Sequence, residues 1–423
     1  MDKEELLTME MYQMVTENKN LEALNAVVVA KGNKSEAAKT LGIPRTTLVS
    51  RLEAAEREGL KPSVNPPDTQ AALIEQKIIY DLQISELKKH IQELAKENIT
   101  AENVRKIVFK LEKHTPKPPK WLVKSSPAKG APGVPTLFLS DFHWGEVVDP
   151  ESINNLNDYN NKIAQKRLRT TVETTIDLCT NHMVNPKYPG IVVALGGDMI
   201  SGHIHEELTE TNAGTNIECV LDLFDHLIWA IDSLADVFGK VFVPCAYGNH
   251  GRMFKQFRHK QAAATSFDWM LYLMLEKHYK KDPRITFMVP TGYDAYYKVY
   301  NINYLLTHGD RLGAKGGAGI IGMLGPVARG VQKIKTEYAT HKKPIDYVIM
   351  GHWHQYITLN GIIVNGSLKG YDEYAASSRF AFEIPKQALW FTHPKYGVTF
   401  QLPILSETNT ITKTKNDWVQ WVK

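Results

Sequence analysis

From Thr136 onward the apolar positions repeat one pattern: a short apolar run rich in β-forming residues, followed directly by a loop that carries Asp, His or Asn. Five such runs occur in order: TLFLSDFH, GIVVALGGDMISGH, KVFVPCAYGNHGR, YLLTHGD and IDYVIMGHWH. Short apolar runs that end in such loops predict buried β-strands. Stretches with helical spacing lie between them, such as ECVLDLFDHLIWAIDSLADVF, and predict helices that cover the sheet. This part of the chain is therefore predicted to be an α/β domain.

Three parts are predicted along the chain: residues 1–62, residues 63–133 and residues 134–423. The first contains no strand-like run and is predicted to be a small all-α domain. The second is predicted to be a helical and Pro-rich linker. The third is the α/β domain, and ALWFTHPKYGVTFQLPI near its end predicts a C-terminal β extension around a Pro-Lys-Tyr-Gly turn.

Helix start and stop signals divide the N-terminal part. A first helix is predicted to stop at Gly32, with Ser35 as the N-cap of a second helix. Gly42 permits a tight turn, and Pro44 is suited to open a third helix. Small Ala residues on the second helix allow the third to cross it closely, which is typical of a helix-turn-helix.

The segment AAKTLGIPRTTLVSRL resembles the core of the Fis-type helix-turn-helix family. The resemblance implies DNA binding, with four side chains facing the major groove or its phosphates: Arg45, Thr46, Thr47 and Arg51. Residues 31–52 contain five Lys or Arg and one Glu, which agrees with this interpretation. The alternative is a three-helix bundle that makes protein contacts, because residues 1–60 as a whole are not basic.

The linker contains a seam with alternating spacings of four and three residues. Its members are Leu73, Lys77, Tyr80, Ile84, Leu87, Ile91 and Leu94. This seam predicts a coiled coil of about three heptads, which would form a homodimer through residues 73–94. An amphipathic helix packed on its own chain is an equal alternative. Thr100 is then predicted to cap another amphipathic helix, and residues 114–135 are Pro-rich and basic, as in an extended linker.

Composition restricts the class of protein. Hydrophobic residues make up 43% and charged residues 23%, as in soluble globular proteins. The net charge of +4 is small for 423 residues, so any nucleic-acid contact must come from local patches. The three cysteines form no CxxC pair, which argues against a disulfide framework and a thiolate zinc site. No apolar run is long enough to span a membrane and no signal peptide is evident, so a cytoplasmic protein is predicted.

The five polar loops in order, DxH, GD, GNH, H and GHxH, resemble the motifs of the calcineurin-like metallophosphoesterases. The match covers about residues 134–370. The overall layout is similar to phage- or prophage-encoded phosphoesterases akin to DNA repair exonucleases, which would act in the cytoplasm of a bacterial host. The resemblance implies a β-sandwich core flanked by helices and a site for two divalent metal ions. Two such ions can neutralise a phosphodiester and activate a water molecule.

The resemblance also assigns roles to eight side chains. The first metal would be held by Asp141, His143 and His354. The second would be held by Asn249, His308 and His352, with Asp198 as a bridge between the two. His250 would be no ligand but a general acid near the leaving oxygen. Manganese is the metal that the resemblance implies, although the same ligands accept Fe, Zn or Mg.

Further residues near these loops are candidates for supporting roles. A basic run follows the GNH block, and phosphate-backbone contact is predicted for Arg252, Lys255 and Arg258, with a solvated loop as the alternative. His203 and His205 are predicted to be solvated rather than to touch substrate. Arg311 or Lys315 could reach a phosphate from a substrate loop. Three residues after one more strand would support the ligands: Asn365, Ser367 and Lys369.

The predicted function is a two-metal phosphodiesterase that hydrolyses DNA, an exonuclease-like nuclease. A first alternative keeps the enzyme but changes its substrate to a nucleotide, a cyclic nucleotide or a phosphoprotein, with the helix-turn-helix as a regulator. A second alternative is a DNA-binding regulator without catalysis. None of the expected ligands is missing from the sequence, which favours an enzyme.

Overall fold

Two compact units make up the chain, Met1–Glu97 and Asn98–Lys423. The computed structural model describes residues 19–30, 32–57, 59–62, 101–111, 118–123, 131–312 and 323–407. The boundaries expected at residues 62 and 133 stay predictions. The seam at 73–94 lies outside the described residues, as do Thr100 and Lys315.

Three helices form the described part of the first unit: α1 (19–29), α2 (Lys34–Thr40) and α3 (Arg45–Arg57). They enclose a small core of four buried side chains: Ala23, Ala37, Ala38 and Leu48. The turn between α2 and α3 contains Gly42 with φ +63°, a left-handed conformation that favours glycine. The all-α helix-turn-helix arrangement predicted for this region is confirmed.

The N-cap of α2 is Asn33, so the assignment of Ser35 to this position is wrong. The Asn33 side chain accepts hydrogen bonds from the backbone N–H groups of Ser35 (3.1 Å) and Glu36 (3.3 Å). Asn and Ser are equally good N-caps, so residue type alone does not choose between them. The backbone decides: Gly32 turns the chain with φ +86°, and Asn33 follows it in an extended conformation.

The second unit contains two β-sheets. Their strands are β1 (Val134–Leu139), β2 (Ile191–Leu195), β3 (Val241–Pro244), β4 (Ile285–Met288), β5 (Ala295–Val299), β6 (Ile302–Leu306), β7 (Tyr347–Met350), β8 (Ile357–Leu359), β9 (Ile362–Val364), β10 (Lys386–His393) and β11 (Gly397–Leu405). The order is β11-β10-β1-β2-β3-β4 in the first sheet and β5-β6-β7-β9-β8 in the second.

Four long helices are described in this unit: α4 (Asn161–Asn181), α5 (Asn216–Phe238), α6 (Phe267–His278) and α7 (Leu324–Thr340). Shorter helical segments are Ala101–Asn103, Val104–Val108, Lys120–Val123, Glu151–Ile153, Glu206–Thr211, Ala263–Thr265, Tyr279–Lys281 and Glu373–Ser377. The segment predicted as an amphipathic helix after residue 100 is a short α-helix that continues as a π-helix. None of the helices in the described ranges is both long and apolar enough to cross a membrane.

The two sheets pack face to face and helices cover their outer faces. Phe138 of β1 and Phe242 of β3 share one buried cluster with Tyr304 of β6 and Ile349 of β7. A second cluster joins the other face of the first sheet to α4, α5 and α6. A third joins the second sheet to α7. The predicted fold class, an α/β β-sandwich flanked by helices with a small all-α N-terminal region, is confirmed.

All five apolar runs of the repeated pattern are strands, namely β1, β2, β3, β6 and β7. Strands β1 to β4 are parallel to one another, as are β6, β7 and β9. The loops after β1, β2 and β3 therefore leave the same edge of the first sheet. The predicted C-terminal strands are β10 and β11, and β10 pairs antiparallel with β1, so they complete the first sheet.

Trp390 of β10 joins the two sheets. Its ring meets Phe138 edge-on at 6.4 Å between centroids, and its indole N–H donates to the Tyr304 hydroxyl of the second sheet at 3.3 Å. We expect Trp390→Ala to lower the free energy of unfolding by about 3–5 kcal/mol, because it leaves a large cavity between the sheets. Urea denaturation followed by circular dichroism measures this change. Tyr396→Ala, at a residue that is 66% exposed, is the control and should change it by less than about 0.5 kcal/mol.

Candidate metal centre

Side chains from five loops meet beyond the ends of β1, β2, β3, β6 and β7. In three sets, possible ligand atoms lie within 4.8 Å of one another. The sets are Asp141, His143 and His354; Asp198, His308 and His352; and His143, Asp198 and His250. The first two agree with the two metal groups expected from the sequence. The third places His250 next to ligands of both groups.

The first set contains two imidazole nitrogens in unusually close contact. His143 Nε2 lies 3.1 Å from His354 Nε2, and His354 Nε2 lies 3.5 Å from Asp141 Oδ1. Two nitrogen lone pairs that face each other repel unless a proton or a metal ion lies between them. Burial, together with the positive charge of Lys369, lowers the pKa of His143 to about 3. A second proton on the His143 ring is therefore disfavoured, and the donor set fits a divalent cation.

In the second set a proton on His308 lies where a cation could bind. His308 Nδ1 lies 2.8 Å from the Gly196 carbonyl oxygen, so Nδ1 carries a proton and donates it. Its Nε2 faces two acceptors, Asp198 Oδ2 at 3.0 Å and Asn249 Oδ1 at 3.2 Å. Burial lowers the pKa of His308, but the charge of Asp198 and its hydrogen bond outweigh this and raise it to about 10. Nε2 is therefore protonated here, at a position where a metal ion can replace the proton.

His352 completes the second set. Burial, and then the charge of His308, lowers the pKa of His352 to about 4. Its ring is neutral at physiological pH and offers a lone pair for a metal ion. The ring centroids of His308 and His352 lie 5.2 Å apart.

His250 is oriented by its backbone contacts. Its backbone N–H donates to Asp198 Oδ1 at 2.7 Å, and its Nδ1 lies 2.8 Å from the Ser201 carbonyl oxygen. The Ser201 contact fixes the proton on Nδ1, so Nε2 is the atom left for chemistry. Burial lowers the pKa of His250 and so favours the neutral ring. His250 lies with His143 and Asp198 at the junction of the two ligand sets.

The ligand loops have an unusual backbone conformation. Five of the candidate ligands have positive φ: Asp141 (54°), His143 (49°), Asp198 (50°), His352 (71°) and His354 (54°). Such conformations are rare outside glycine and cost roughly 1–3 kcal/mol each. Strain of this kind collects at functional sites, where the surrounding contacts hold it in place. Its concentration on the ligands supports a functional role for these loops.

Glycines next to the ligands make room for carboxylates from other loops. A Cβ atom on Gly351 would overlap Asp141 Oδ2, and one on Gly248 would overlap Asp198 Oδ1. The backbone N–H of His352 donates to Asp141 Oδ1 at 2.8 Å. The glycines of the GNH and GHxH blocks are thus required for close approach between loops.

Asp268 on α6 is a buried residue that the sequence did not single out. Its carboxylate accepts backbone N–H bonds from Asp198 (2.9 Å), Met199 (3.2 Å) and Gly248 (2.9 Å). Burial, and then the charge of Asp198, raises the pKa of Asp268 to about 7. It holds the loops after β2 and β3 together. The only sequence signal is an Asp inside an otherwise apolar helical run, FDWMLYLML.

A buried charge network lies behind His143. His143 Nδ1 lies 3.3 Å from Glu146 Oε2, and Lys369 Nζ lies 2.9 Å from Glu146 Oε1. Lys369 also pairs with Asp372. The positive charge of Lys369 holds the pKa of Glu146 below its usual range against the opposing effect of burial. Lys369 was predicted from the sequence as a residue that supports the ligands. Glu146, its partner here, was not predicted.

Asn365 and Ser367 also lie behind the ligands. Asn365 Nδ2 donates to Ser140 Oγ at 2.9 Å, next to Asp141. Ser367 Oγ donates to the Asp141 carbonyl oxygen at 2.9 Å. Both side chains are buried and hold the loop after β1.

The basic run after the GNH block lies beside the metal centre, but its three candidate residues do not share one location. Arg252 and Arg258 line a recess that begins at Asn249. Lys255 instead pairs with Glu206 at 2.7 Å on the exposed surface.

The two histidines after the GD block differ from each other. His205 is exposed, as predicted, but its ring centroid lies 5.7 Å from that of His250. His203 is half-buried, contacts Asn216 and meets the Phe267 ring edge-on.

The DNA-contact candidates lie on the first two turns of α3. Arg45 and Thr46 are exposed, whereas Thr47 and Arg51 are half-buried. Leu48 points into the core, so the exposed side of this helix carries Arg45 and Thr46.

Comparisons with known proteins give one family match. Residues 25–54 match the bacterial regulatory proteins of the Fis family, which confirms the resemblance noted for this segment. No curated protein matches the sequence.

Several solved structures are similar to part of the chain. A dimetal phosphatase from Danio rerio has a TM-score of 0.34 and 11% identity, over 65% of this chain and 100% of that one. A 5′-nucleotidase-type protein from Staphylococcus aureus, solved with α-ketoglutarate, has a TM-score of 0.30 and 11% identity, over 67% of this chain and 56% of that one. The sulfate thiohydrolase SoxB from Thermus thermophilus has a TM-score of 0.27 and 9% identity, over 67% of this chain and 58% of that one. Similarity at these low TM-scores does not assign a function to the chain.

Asp268→Asn should weaken metal binding. An amide has one oxygen in place of two, and its NH₂ group would face a backbone N–H donor, so the loops after β2 and β3 would separate. We expect the affinity for Mn²⁺ to fall at least about ten-fold, as for other residues behind metal ligands. Isothermal titration calorimetry measures it, with Asp225→Asn on the exposed side of α5 as the control. Equal affinities for both variants would contradict this role.

Metal affinity should rise with pH because His308 must lose a proton. Its pKa of about 10 lies above neutral pH, so the protonated form dominates there and binding releases this proton. His143 and His352, with pKa values of about 3 and 4, release none at neutral pH. The apparent affinity should increase about ten-fold per unit from about pH 6 to pH 8. Calorimetry in buffers of different ionisation enthalpy counts the protons released when the metal binds. A release of zero protons would refute the assignment of His308 as a protonated ligand.

Proposed function

We propose that the protein is a two-metal phosphodiesterase that hydrolyses DNA, an exonuclease-like nuclease. The observation that carries the proposal is the convergence of two sets of carboxylate and imidazole ligands from five loops, with Asp198 close to members of both sets. Mixed carboxylate, amide and imidazole donors suit divalent transition metals. We propose manganese as the metal, with Fe, Zn and Mg as alternatives for the same ligands.

Two divalent ions, when bound, would neutralise the phosphoryl charge and make a water molecule more acidic. The protein contributes the positions of the groups. Asp141, His143 and His354 would hold one ion, and Asn249, His308 and His352 the other. Asp198 would serve both, because one carboxylate oxygen lies 3.0 Å from His308 Nε2 and its set also reaches His143.

His250 would act as the general acid. The hydrogen bond from Nδ1 to Ser201 keeps the ring in one orientation, so its Nε2 can hold a proton for the leaving oxygen. Burial lowers its pKa, so a proton on Nε2 would be released readily. The ring centroid of the exposed His205 lies 5.7 Å from that of His250.

Two features support DNA as the substrate. The Fis-type segment at residues 25–54 is a DNA-binding module by resemblance, with Arg45 and Thr46 exposed on α3 and Thr47 and Arg51 beside them. Arg252 and Arg258 add positive charge next to Asn249. The buried free thiols fit a reducing cytoplasm, that of the bacterial host if a phage encodes the chain.

Asp198→Ala should abolish hydrolysis of labelled DNA, with a loss of at least about a thousand-fold, because both ligand sets lose their shared carboxylate. His250→Asn should lose about a hundred-fold or more while retaining metal. The measurement is a nuclease assay with single-stranded and duplex DNA in Mn²⁺, Mg²⁺ and EDTA. His182→Asn, an exposed histidine on the far end of α4, is the matched control for His250.

Other substrates define the results that would contradict the proposal. Bis-p-nitrophenyl phosphate tests the phosphodiesterase chemistry alone. Rapid hydrolysis of cyclic nucleotides with no turnover of DNA would replace the nuclease by a nucleotide-directed enzyme. DNA-dependent function in cells that survives Asp198→Ala would favour a regulator without catalysis.

A further inference from the structure

A recess opens beside Asn249, between the basic run and the loop after β6. Three arginines line it, Arg252, Arg258 and Arg311, and Asp310 is its acidic residue. It offers about 20 Å³ to the centres of water-sized atoms. That is room for about one water-sized atom and too little for a nucleobase ring, so an anion would enter with one oxygen and rest at the opening. The arginines favour a group with negative charge.

Aromatic rings hold Arg311 in place. Its guanidinium carbon lies 5.6 Å from the Tyr247 ring centroid and 5.2 Å from that of Phe257, and it also stacks over Tyr293. Arginine stacks well on such faces and keeps its in-plane N–H donors available. The ordered guanidinium therefore loses little entropy when it binds an anion.

Two arginine donors in the recess lack partners. The Nε atoms of Arg252 and Arg311 are buried and make no hydrogen bond within the described structure. Asp310 Oδ2 lies 3.7 Å from Arg311 Nε, too far for a hydrogen bond. Unpaired buried donors are costly. The other N–H groups of these guanidinium ions are the donors that can make charge-assisted hydrogen bonds to an oxyanion in the recess. Arg258 stacks at 3.6 Å on Phe254 and adds a further positive charge at the mouth.

We infer that this recess is a second phosphate site, which binds the phosphate of the nucleotide next to the scissile bond. This inference rests on the proposed phosphodiesterase activity and deepens it. A nucleic-acid strand always carries such a neighbouring phosphate, whereas simple esters do not. The recess would therefore select strands over isolated diesters. Lys255, which pairs with Glu206, is outside the recess and has no part in this selection.

Three matched substrates test the inference in the full chain with Mn²⁺. They are two thymidines joined by one phosphodiester, and the same dinucleotide with an additional 5′- or 3′-phosphate. We expect the wild type to prefer one phosphorylated form at least about ten-fold in kcat/KM, through KM. Arg252→Met and Arg311→Met should reduce that ratio to about one. Arg169→Met, an exposed arginine stacked on Trp229 away from the recess, should keep it.

The ratio distinguishes a subsite from general damage, because damage to the fold or the metal centre lowers turnover of all three substrates together. Arg258→Met keeps the test informative if the other variants do not fold, since Arg258 is exposed, and it should reduce the ratio at least three-fold. A preference that persists in the three recess variants would overturn the inference.

The inference would also be overturned if the wild type hydrolysed all three dinucleotides with the same kcat/KM. If millimolar inorganic phosphate then altered that hydrolysis in the wild type but not in Arg252→Met, the recess would be a site for free phosphate instead. No turnover of any dinucleotide or of DNA would refute the proposed function itself, a different result from a missing preference.

Discussion

The structure of the site depends on two buried carboxylates, Asp141 and Asp198, held close together among imidazoles. Asp141 is fully buried and Asp198 is 1% exposed, so both have lost their solvation by water. Burial raises the pKa of each, but hydrogen bonds and charges from His354 and His308 outweigh it and keep both carboxylates ionised. Negative charge at this depth is tolerated only where donors converge on it. This requirement determines how the loops run.

Each ligand loop meets the requirement by contacts to its neighbours. The N–H of His352 reaches Asp141, and the N–H of His250 reaches Asp198. Five candidate ligands have left-handed backbones, and glycines make space for carboxylates from other loops. Asp268 then joins two of the loops from behind through three N–H bonds. A set of side chains that repel one another is in this way prepared for cations before they bind.

The two sheets make this preparation possible because they supply rigid ends from which the loops start. Strands β1, β2 and β3 belong to one sheet and β6 and β7 to the other. Each ligand set takes residues from both sheets, so the buried cluster between the sheets fixes the distances within each set. The recess beside Asn249 lies next to the loops after β3 and β6, so it is positioned by the same packing. The proposed substrate selection and the metal centre would thus depend on one interface.

The sequence by itself determined the five strand-and-loop units, the helix-turn-helix and the donor types, because these are written in local patterns. Short continuous apolar runs and helical spacing report burial within a few residues, and glycine reports a turn. What only the tertiary structure decided are contacts between distant positions. Asp268 lies 70 residues from Asp198 and has no local pattern of its own. Lys255 pairs with a glutamate 49 residues away, and no spacing reveals that partner. The choice of Asn33 over Ser35 as the cap depended on where the backbone turned. Such contacts follow from the packing of whole elements, and one sequence read locally contains no measure of that packing.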